Sequence, residues 1–383
     1  MSVLDRYYTE EHKIFRESIR RFYEKEVTPQ VDHWEKEGIV PKELWRKFGQ
    51  QGFLCPWLPE EYGGAGADFL YSVIALEEQA PTHCSGFVTF LHSDIIVPYL
   101  YAYGNDEQKK QWLPGCVTGD MITAIAMTEP YTGSDLAGIR TTAVKDGDSY
   151  IINGQKTFIS NGINCDLVIV AVKTDVKASP VYAGVSLIVV EDGAPGFEKG
   201  RKLDKAGLYS QDTAEMAFVD CRVPAANLLG QEGSGFYYLM EKLQQERLMC
   251  AIASQSTAEE ALRLTLEYVK SREAFGRPIG RFQYISFEMA KIATEVEIGR
   301  AFLDSLIVDH VEGREIVKKA SMAKYWIAEM LNRVVGQCVQ FHGGYGYMEE
   351  YPIARIFRDA RVHTIFAGTS EIMLLIISRS LGL

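Results

Sequence analysis

The 383-residue chain is poor in cysteine, and what it has is never paired in sequence. Seven cysteines stand singly at 55, 84, 116, 165, 221, 250 and 338, an odd number with no CxxC pair. That fits a reducing compartment better than a disulfide framework or a zinc site, and predicts no metal. A basic excess is also missing. The 51 acidic residues outnumber the 40 basic ones, for a net charge of -11, which argues against nucleic acid as a partner. A small anionic ligand remains open, because a few local arginines suffice for one. No run approaches the ~18 apolar residues of a membrane span. The opening MSVLDRYYTEEHKIFRESIRR carries acids early and has no apolar signal core. These absences point to a cytoplasmic protein without stable membrane insertion.

Ordinary globular composition is present, 47% hydrophobic and 24% charged, on a chain long enough for two or three domains. Residues 1–118 read as helical. Thr9 is an N-cap ahead of Glu10-Glu11, and Ile14, Ile19 and Phe22 form an apolar stripe. Further helices are expected over about Asp68–Ala80, over Phe87–Tyr103 with Pro98 near its middle or marking a break, and in a polar segment stopped by Pro114. Residues 119–232 read as a β-domain, a small barrel or sandwich. Its strongest hairpin signal is Asn153-Gly154, and its strands are 166–173, 184–190 and 214–222. From Gly235 a helical period returns, with apolar stripes such as Ile316, Ala320, Ala323, Ile327 and Met330. Residues 233–383 are expected to form an antiparallel four-helix bundle. The whole reads as α+β, in the order helices, β-domain, bundle.

The most distinctive stretch is QFHGGYGYMEEYPIARIFRDARVHTIFAGTSE, Gln340 to Glu371. Gly343-Gly344 permits close backbone approach. Arg355, Arg358 and Arg361 share a helical face, and Thr369 or Ser370 can cap a new helix. The same residues would also serve as a plain loop between helices. The stretch resembles the C-terminal signature of the acyl-CoA dehydrogenase family, FAD enzymes that desaturate acyl-CoA thioesters. The resemblance extends over essentially the whole chain. Thr128 to Ser134 is similar to the family's Thr-Glu-Pro-x-x-Gly-Ser loop, Phe158–Gly162 to a second flavin-side element, and Arg272–Gly276 to its Arg-x-x-Phe-Gly. The resemblance implies that FAD is held by Ile125, Met127, Thr128, Gly133, Ser134, Phe158, Ser160, Arg272, Phe275, Gln283, Gln340, Gly343, Gly344, Thr369 and Glu371. Arg272 and the Gln340–Gly344 element would reach across a subunit boundary, in a homotetramer. Acyl-CoA would meet Ser134, Leu243, Gln244, Arg247 and Gly368.

Most relatives carry a catalytic glutamate immediately before Gly-Thr. Here that place is Ala367, which cannot take a proton. Glu241 and Glu246 are both candidates on the helix FYYLMEKLQQERLMC, where a mid-helix glutamate is usually solvated. The segment resembles the long-chain and isovaleryl branches, which take their base from Glu-Arg-Leu. That places the base on Glu246 and a CoA-contacting arginine on Arg247. The mechanism implied is α-proton removal by Glu246 with β-hydride transfer to flavin N5. The thioester carbonyl would be held by the Ala367 N–H, and electrons would pass to an electron-transferring flavoprotein. Asp94 is expected to face solvent or pair with a helix N-terminus. If it points inward, it could be a second base for an alicyclic or unsaturated acyl group. A catalytically inactive acyl-CoA or flavin-binding homologue and an oxygen-using oxidase are the alternatives.

Overall fold

The computed structural model describes residues 3–383, so Met1 and Ser2 of the N-terminal reading lie outside the described residues. Helix α1 (Glu10–Phe22) starts as expected. The Thr9 hydroxyl accepts the His12 N–H, and His12 Nδ1 accepts the Thr9 N–H in return. Ile19 is fully buried but Ile14 is 59% exposed. A five-residue step turns a side chain roughly 140° around the helix, so Ile14 leaves the stripe. Helices α2 (Val31–Glu37), α3 (Lys42–Gln50) and α4 (Phe69–Gln79) follow, α4 capped by Asp68.

The expected helix around Pro98 has a different form. A π turn, Leu91–Ile96, leads into α5 (Val97–Tyr103), with Pro98 in the first turn of α5. Proline lacks the N–H that would tie back to this turn. The carbonyls of Ser93 and Asp94 are taken by side chains instead, Trp57 Nε1 at 2.9 Å and Gln245 Nε2 at 2.7 Å. The second bond ties this segment to the long helix of the C-terminal region. In α6 (Asp106–Thr118), Pro114 lies inside the helix rather than stopping it. It sits on the exposed face, while Trp112, Leu113, Cys116 and Val117 pack inward.

Strands β1 (Thr123–Ala126), β2 (Thr142–Asp146), β3 (Ser149–Ile159), β4 (Leu167–Lys173), β5 (Val185–Glu191), β6 (Phe197–Lys202), β7 (Ala214–Pro224) and β8 (Leu228–Leu229) make one mixed sheet. Its order is β6-β7-β3-β2-β4-β5-β8, with β1 parallel to β4. Asn153-Gly154 is not the hairpin turn. The turn is Gly147-Asp148, between paired Asp146 and Ser149. Gly154 lies inside β3 at a register shift against β7, with φ 154. A Cβ there would meet Thr141 Oγ1 at 2.4 Å, so the glycine serves close strand approach. Alternate residues of β4 and β5 enter different cores. Leu167, Ile169, Leu187 and Val189 pack toward the N-terminal helices, while Val168, Val170, Ile188 and Val190 join Tyr150, Ile152, Met216 and Phe218 within the folded sheet. The C-terminal region is built on α7 (Gly235–Ser271), α8 (Gln283–Val311) and α9 (Val317–His342), with α10 (Pro352–Ala360) and α11 (Ser370–Ser380) against them.

Candidate active site

Glu246 lies on α7 between Leu243 and Cys250, on the inward stripe rather than a solvated face. It is 4% exposed. Tyr99, placed by the π turn and Pro98, donates its hydroxyl to Glu246 Oε1 at 2.6 Å. Burial pushes the Glu246 acid up to about 7, against the opposing pull of the Tyr99 hydrogen bond and the Arg247 charge. Arg247 is also buried, and its Nε has no hydrogen-bond partner among the described residues. Glu241, the other candidate, is exposed. Leu243 is buried and Gln244 half-buried on the same turns.

One turn beyond Glu246 stands Cys250, whose thiol is pushed up to about 12 by burial and feels the charge of buried Lys324. Lys324 Nζ donates to the carbonyl of Gly368 at 2.5 Å. Lys324 thus ties α9 to the Ala367–Gly368 turn, one residue before the α11 cap. Thr369 caps α11 by accepting the Ile372 N–H, and Glu371 lies in that helix's first turn. Further along the same face of α7, Ala253 and Thr257 line a cavity of about 130 Å³ with Leu76, Val88, Phe90, His363 and Phe366. Gln79, His83 and Asp359 also border it.

The expectation that Asp94 faces solvent is overturned. It is 5% exposed and accepts the Ser72 hydroxyl at 2.5 Å, and burial raises its acid to about 7. The half-exposed turns of an amphipathic helix carry such residues outward, but the wide π turn rolls Asp94 toward α4. It does not line the cavity beside α7.

The loop after β1 is built on a buried ion pair that sequence reasoning did not single out. Lys156 Nζ donates to Glu129 Oε1 at 2.8 Å and to the Met127 carbonyl at 3.1 Å. Glu129 also accepts the N–H groups of Arg140 and Thr141, and the Thr128 carbonyl accepts the Thr157 N–H. Ile125, Met127 and Thr128 are half-buried above this pair, while Gly133 and Ser134 are exposed. Phe158 stands beside them at φ 60 and is 68% exposed, with Ser160 half-buried. Asn161, at φ 58, donates to the Thr123 carbonyl and fixes the end of β3.

A second group lies at the far end of the bundle. Arg272, Gly343 and Gly344 line one cavity of about 470 Å³ with Tyr268, Ile279, Phe341, His342, Tyr345 and Met348. Arg272 stacks over the Tyr345 ring, and a Cβ on either glycine would meet nothing within 4 Å. Phe275 stands beside it at φ 51, 95% exposed, and Gln283 and Gln340 are exposed. None of Ile125–Ser134 or Phe158 lines this cavity. Of the anticipated arginines, Arg355 and Arg358 are committed to ion pairs with Asp32, Glu35 and Glu349.

Comparison with known proteins settles the family. Three consecutive domains match along the chain: acyl-CoA dehydrogenase, N-terminal domain at 9–120, middle domain at 124–221 and C-terminal domain at 233–382. The chain belongs to the acyl-CoA dehydrogenase family. This acyl-CoA dehydrogenase is 49% identical over 98% of its length to the long-chain specific acyl-CoA dehydrogenase, mitochondrial, of Sus scrofa, covering 87% of that relative. It is 58% identical, with a TM-score of 0.98, to the crystal structure of acyl-CoA dehydrogenase from Geobacillus kaustophilus, covering 99% of this chain and 100% of that one. A glutaryl-CoA dehydrogenase from Mycobacterium smegmatis, solved in complex with FADH2, is 29% identical with a TM-score of 0.90, over 99% and 96% of the two chains. The protein is therefore an oxidoreductase of this class, close to the long-chain and isovaleryl types, and the family's cofactor is FAD. The residues present fit that cofactor. The Arg272–Gly343–Gly344 cavity offers a cation and open backbone to an anionic pyrophosphate, and the loop over Lys156 offers N–H and hydroxyl donors beside an exposed aromatic face. Among the described residues no helix is long and apolar enough to cross a membrane.

Proposed function

We propose that this acyl-CoA dehydrogenase introduces the α,β double bond of an acyl-CoA thioester with Glu246 as its base. The observation that carries the reading is a buried carboxylate of raised pKa, held by Tyr99 on the inward face of α7, in a chain whose turn before Gly368 carries Ala367. Bound FAD supplies the acceptor for the hydride leaving the β-carbon. Tyr99 occupies Oε1 and leaves Oε2 for the α-proton. The raised pKa brings the carboxylate's basicity nearer to a weak carbon acid. The Ala367 N–H holds the thioester oxygen, where negative charge grows as the proton leaves. Arg247 and Gln244 lie on the CoA side, with Leu243, Ser134 and Gly368 closing around the thioester. The acyl tail runs along Ala253 and Thr257 into the cavity beyond Phe366.

FAD is held by the loop Ile125–Ser134, Phe158, Ser160, Thr369 and Glu371 of one subunit. Arg272, Phe275, Gln283, Gln340, Gly343 and Gly344 of a neighbour complete the site in a homotetramer. The electrons pass to an electron-transferring flavoprotein. The three regions divide at 118 and 232, and seven free, buried cysteines suit the reducing cytoplasm. Glu246→Gln keeps shape and hydrogen bonding but cannot accept the proton. FAD content and acyl-CoA binding should stay near normal, while anaerobic flavin bleaching slows by about 10²–10⁴-fold. Bleaching within a few-fold of the parent rate would reduce Glu246 to a structural residue.

A further inference from the structure

The Ala367–Gly368 turn is held by a buried amine. Both residues are left-handed, Ala367 at φ 52 and Gly368 at φ 94, a conformation alanine avoids unless its surroundings impose it. Upstream, backbone bonding ends at Phe366 N–H, which donates to Val362 O at 3.0 Å. Downstream it resumes at Ile372 N–H on the Thr369 hydroxyl. Between them, among the described residues, no backbone carbonyl takes the N–H of Ala367 or Gly368. The side-chain bond made to the turn's own backbone is that of Lys324 Nζ to Gly368 O, 2.5 Å.

Lys324 is 1% exposed and sits on the stripe Ala320–Ala323–Ile327–Met330 of α9, where an apolar residue would pack at no electrostatic cost. The charged and titratable groups it feels are Cys250, Arg247, Glu329, Glu371 and His363. Glu329 is already engaged by the Ser370 hydroxyl at 2.6 Å. An ammonium so enclosed, with one short bond to a strained turn, has its work at that turn.

We propose that Lys324 is a positioning residue: by fixing the Gly368 carbonyl it aims the free Ala367 N–H at the thioester oxygen, and so sets the acidity of the substrate α-carbon without touching substrate. This rests on the reading above that Ala367 N–H receives the thioester.

The test uses FAD-loaded enzyme and two ligands of equal chain length. One is a 3-thiaacyl-CoA, whose α-proton can leave and whose enolate is seen as a long-wavelength band. The other is an S-alkyl-CoA thioether, which has no carbonyl. In Lys324→Met, ionisation of the 3-thia ester at pH 7 should fall about tenfold or more, roughly one pKa unit at the α-carbon. Thioether affinity and FAD content should hold. Lys324→Gln, which keeps a donor on a shorter arm, should recover part of the ionisation, and it carries the comparison alone if the methionine variant does not fold. Ionisation within twofold of the parent in both variants, or equal loss of both ligands, overturns the role of Lys324. Failure of the parent enzyme to ionise the 3-thia ester overturns the Ala367 reading and this inference with it.

Discussion

At the scale of residues, the site depends on a carboxylic acid kept in a place that disfavours its charge. The Glu246 acid is raised to about 7, so the basic form is scarce below that pH and predominates above it. Flavin reduction by acyl-CoA should therefore rise with pH and level off above about 7. The Tyr99 hydrogen bond favours the charged form, so Tyr99→Phe should move this rise to higher pH and slow the enzyme most at neutral pH. An unmoved profile in stopped-flow bleaching would show that Tyr99 does not act on the base. The same shift has a stability consequence of opposite sense to that of an ordinary ion-paired carboxylate. A folded-state pKa raised from 4.5 means that the native state holds a proton the unfolded chain has released. Stability is then lost as pH climbs from about 4.5 to 7, up to about 3 kcal/mol. Glu246→Gln should melt higher than the parent at pH 8, with the gain vanishing near pH 4 in calorimetry.

At the scale of elements, periodicity made most of the fold legible. The Thr9 cap, α4, β4, β5, β7 and the start of α7 at Gly235 follow from caps, β-branched runs and helical stripes. The misreadings came from residues with two uses. Pro114 stands inside a helix, on its exposed face, rather than ending it. Asn153-Gly154 has turn composition, but the glycine's missing Cβ admits Thr141. Gly154→Ala should cost about 2 kcal/mol, from a disfavoured φ and that contact, and show as a lower denaturant midpoint at unchanged m-value. A neutral substitution there would mean that β3 can shift register. The site was legible in part for a similar reason. Glu246 lies three residues after Leu243 and four before Cys250, and Lys324 lies four after Ala320 and three before Ile327. Spacing puts both charges on buried stripes, but the resemblance, not the spacing, singles out Glu246, and Lys324 is passed over. Tyr99 could not be placed by spacing, because its approach to Glu246 depends on a π turn that local pattern does not announce. The Lys156–Glu129 pair was hidden the same way, since a register shift in β3 decides which side Lys156 faces.

At the scale of the whole molecule, aromatic surface gathers at one end of the bundle. Arg272 stacks on Tyr345, Phe275 meets Phe282 edge to face, and Tyr345 packs against Tyr351, so aromatic surface is concentrated there. Phe275 is 95% exposed and Tyr347 81%. Apolar surface gathered in one place marks a contact, whereas scattered single residues do not. The open glycines and the arginine beside this surface line a cavity that the loop over Lys156 does not share, and the proposed reading has one FAD meet both groups from two chains. On that reading cofactor binding and assembly share one equilibrium, and a ligand that binds only the assembled form stabilises it by about 2.7 kcal/mol at a hundredfold excess over Kd. Arg272→Ala should lower the flavin-to-protein absorbance ratio and, in light scattering across a dilution series, shift the protein toward smaller species at the same time. Excess FAD should restore both together. An isolated monomer with full flavin occupancy would place the whole cofactor within one chain and leave the exposed aromatics at this end to another purpose.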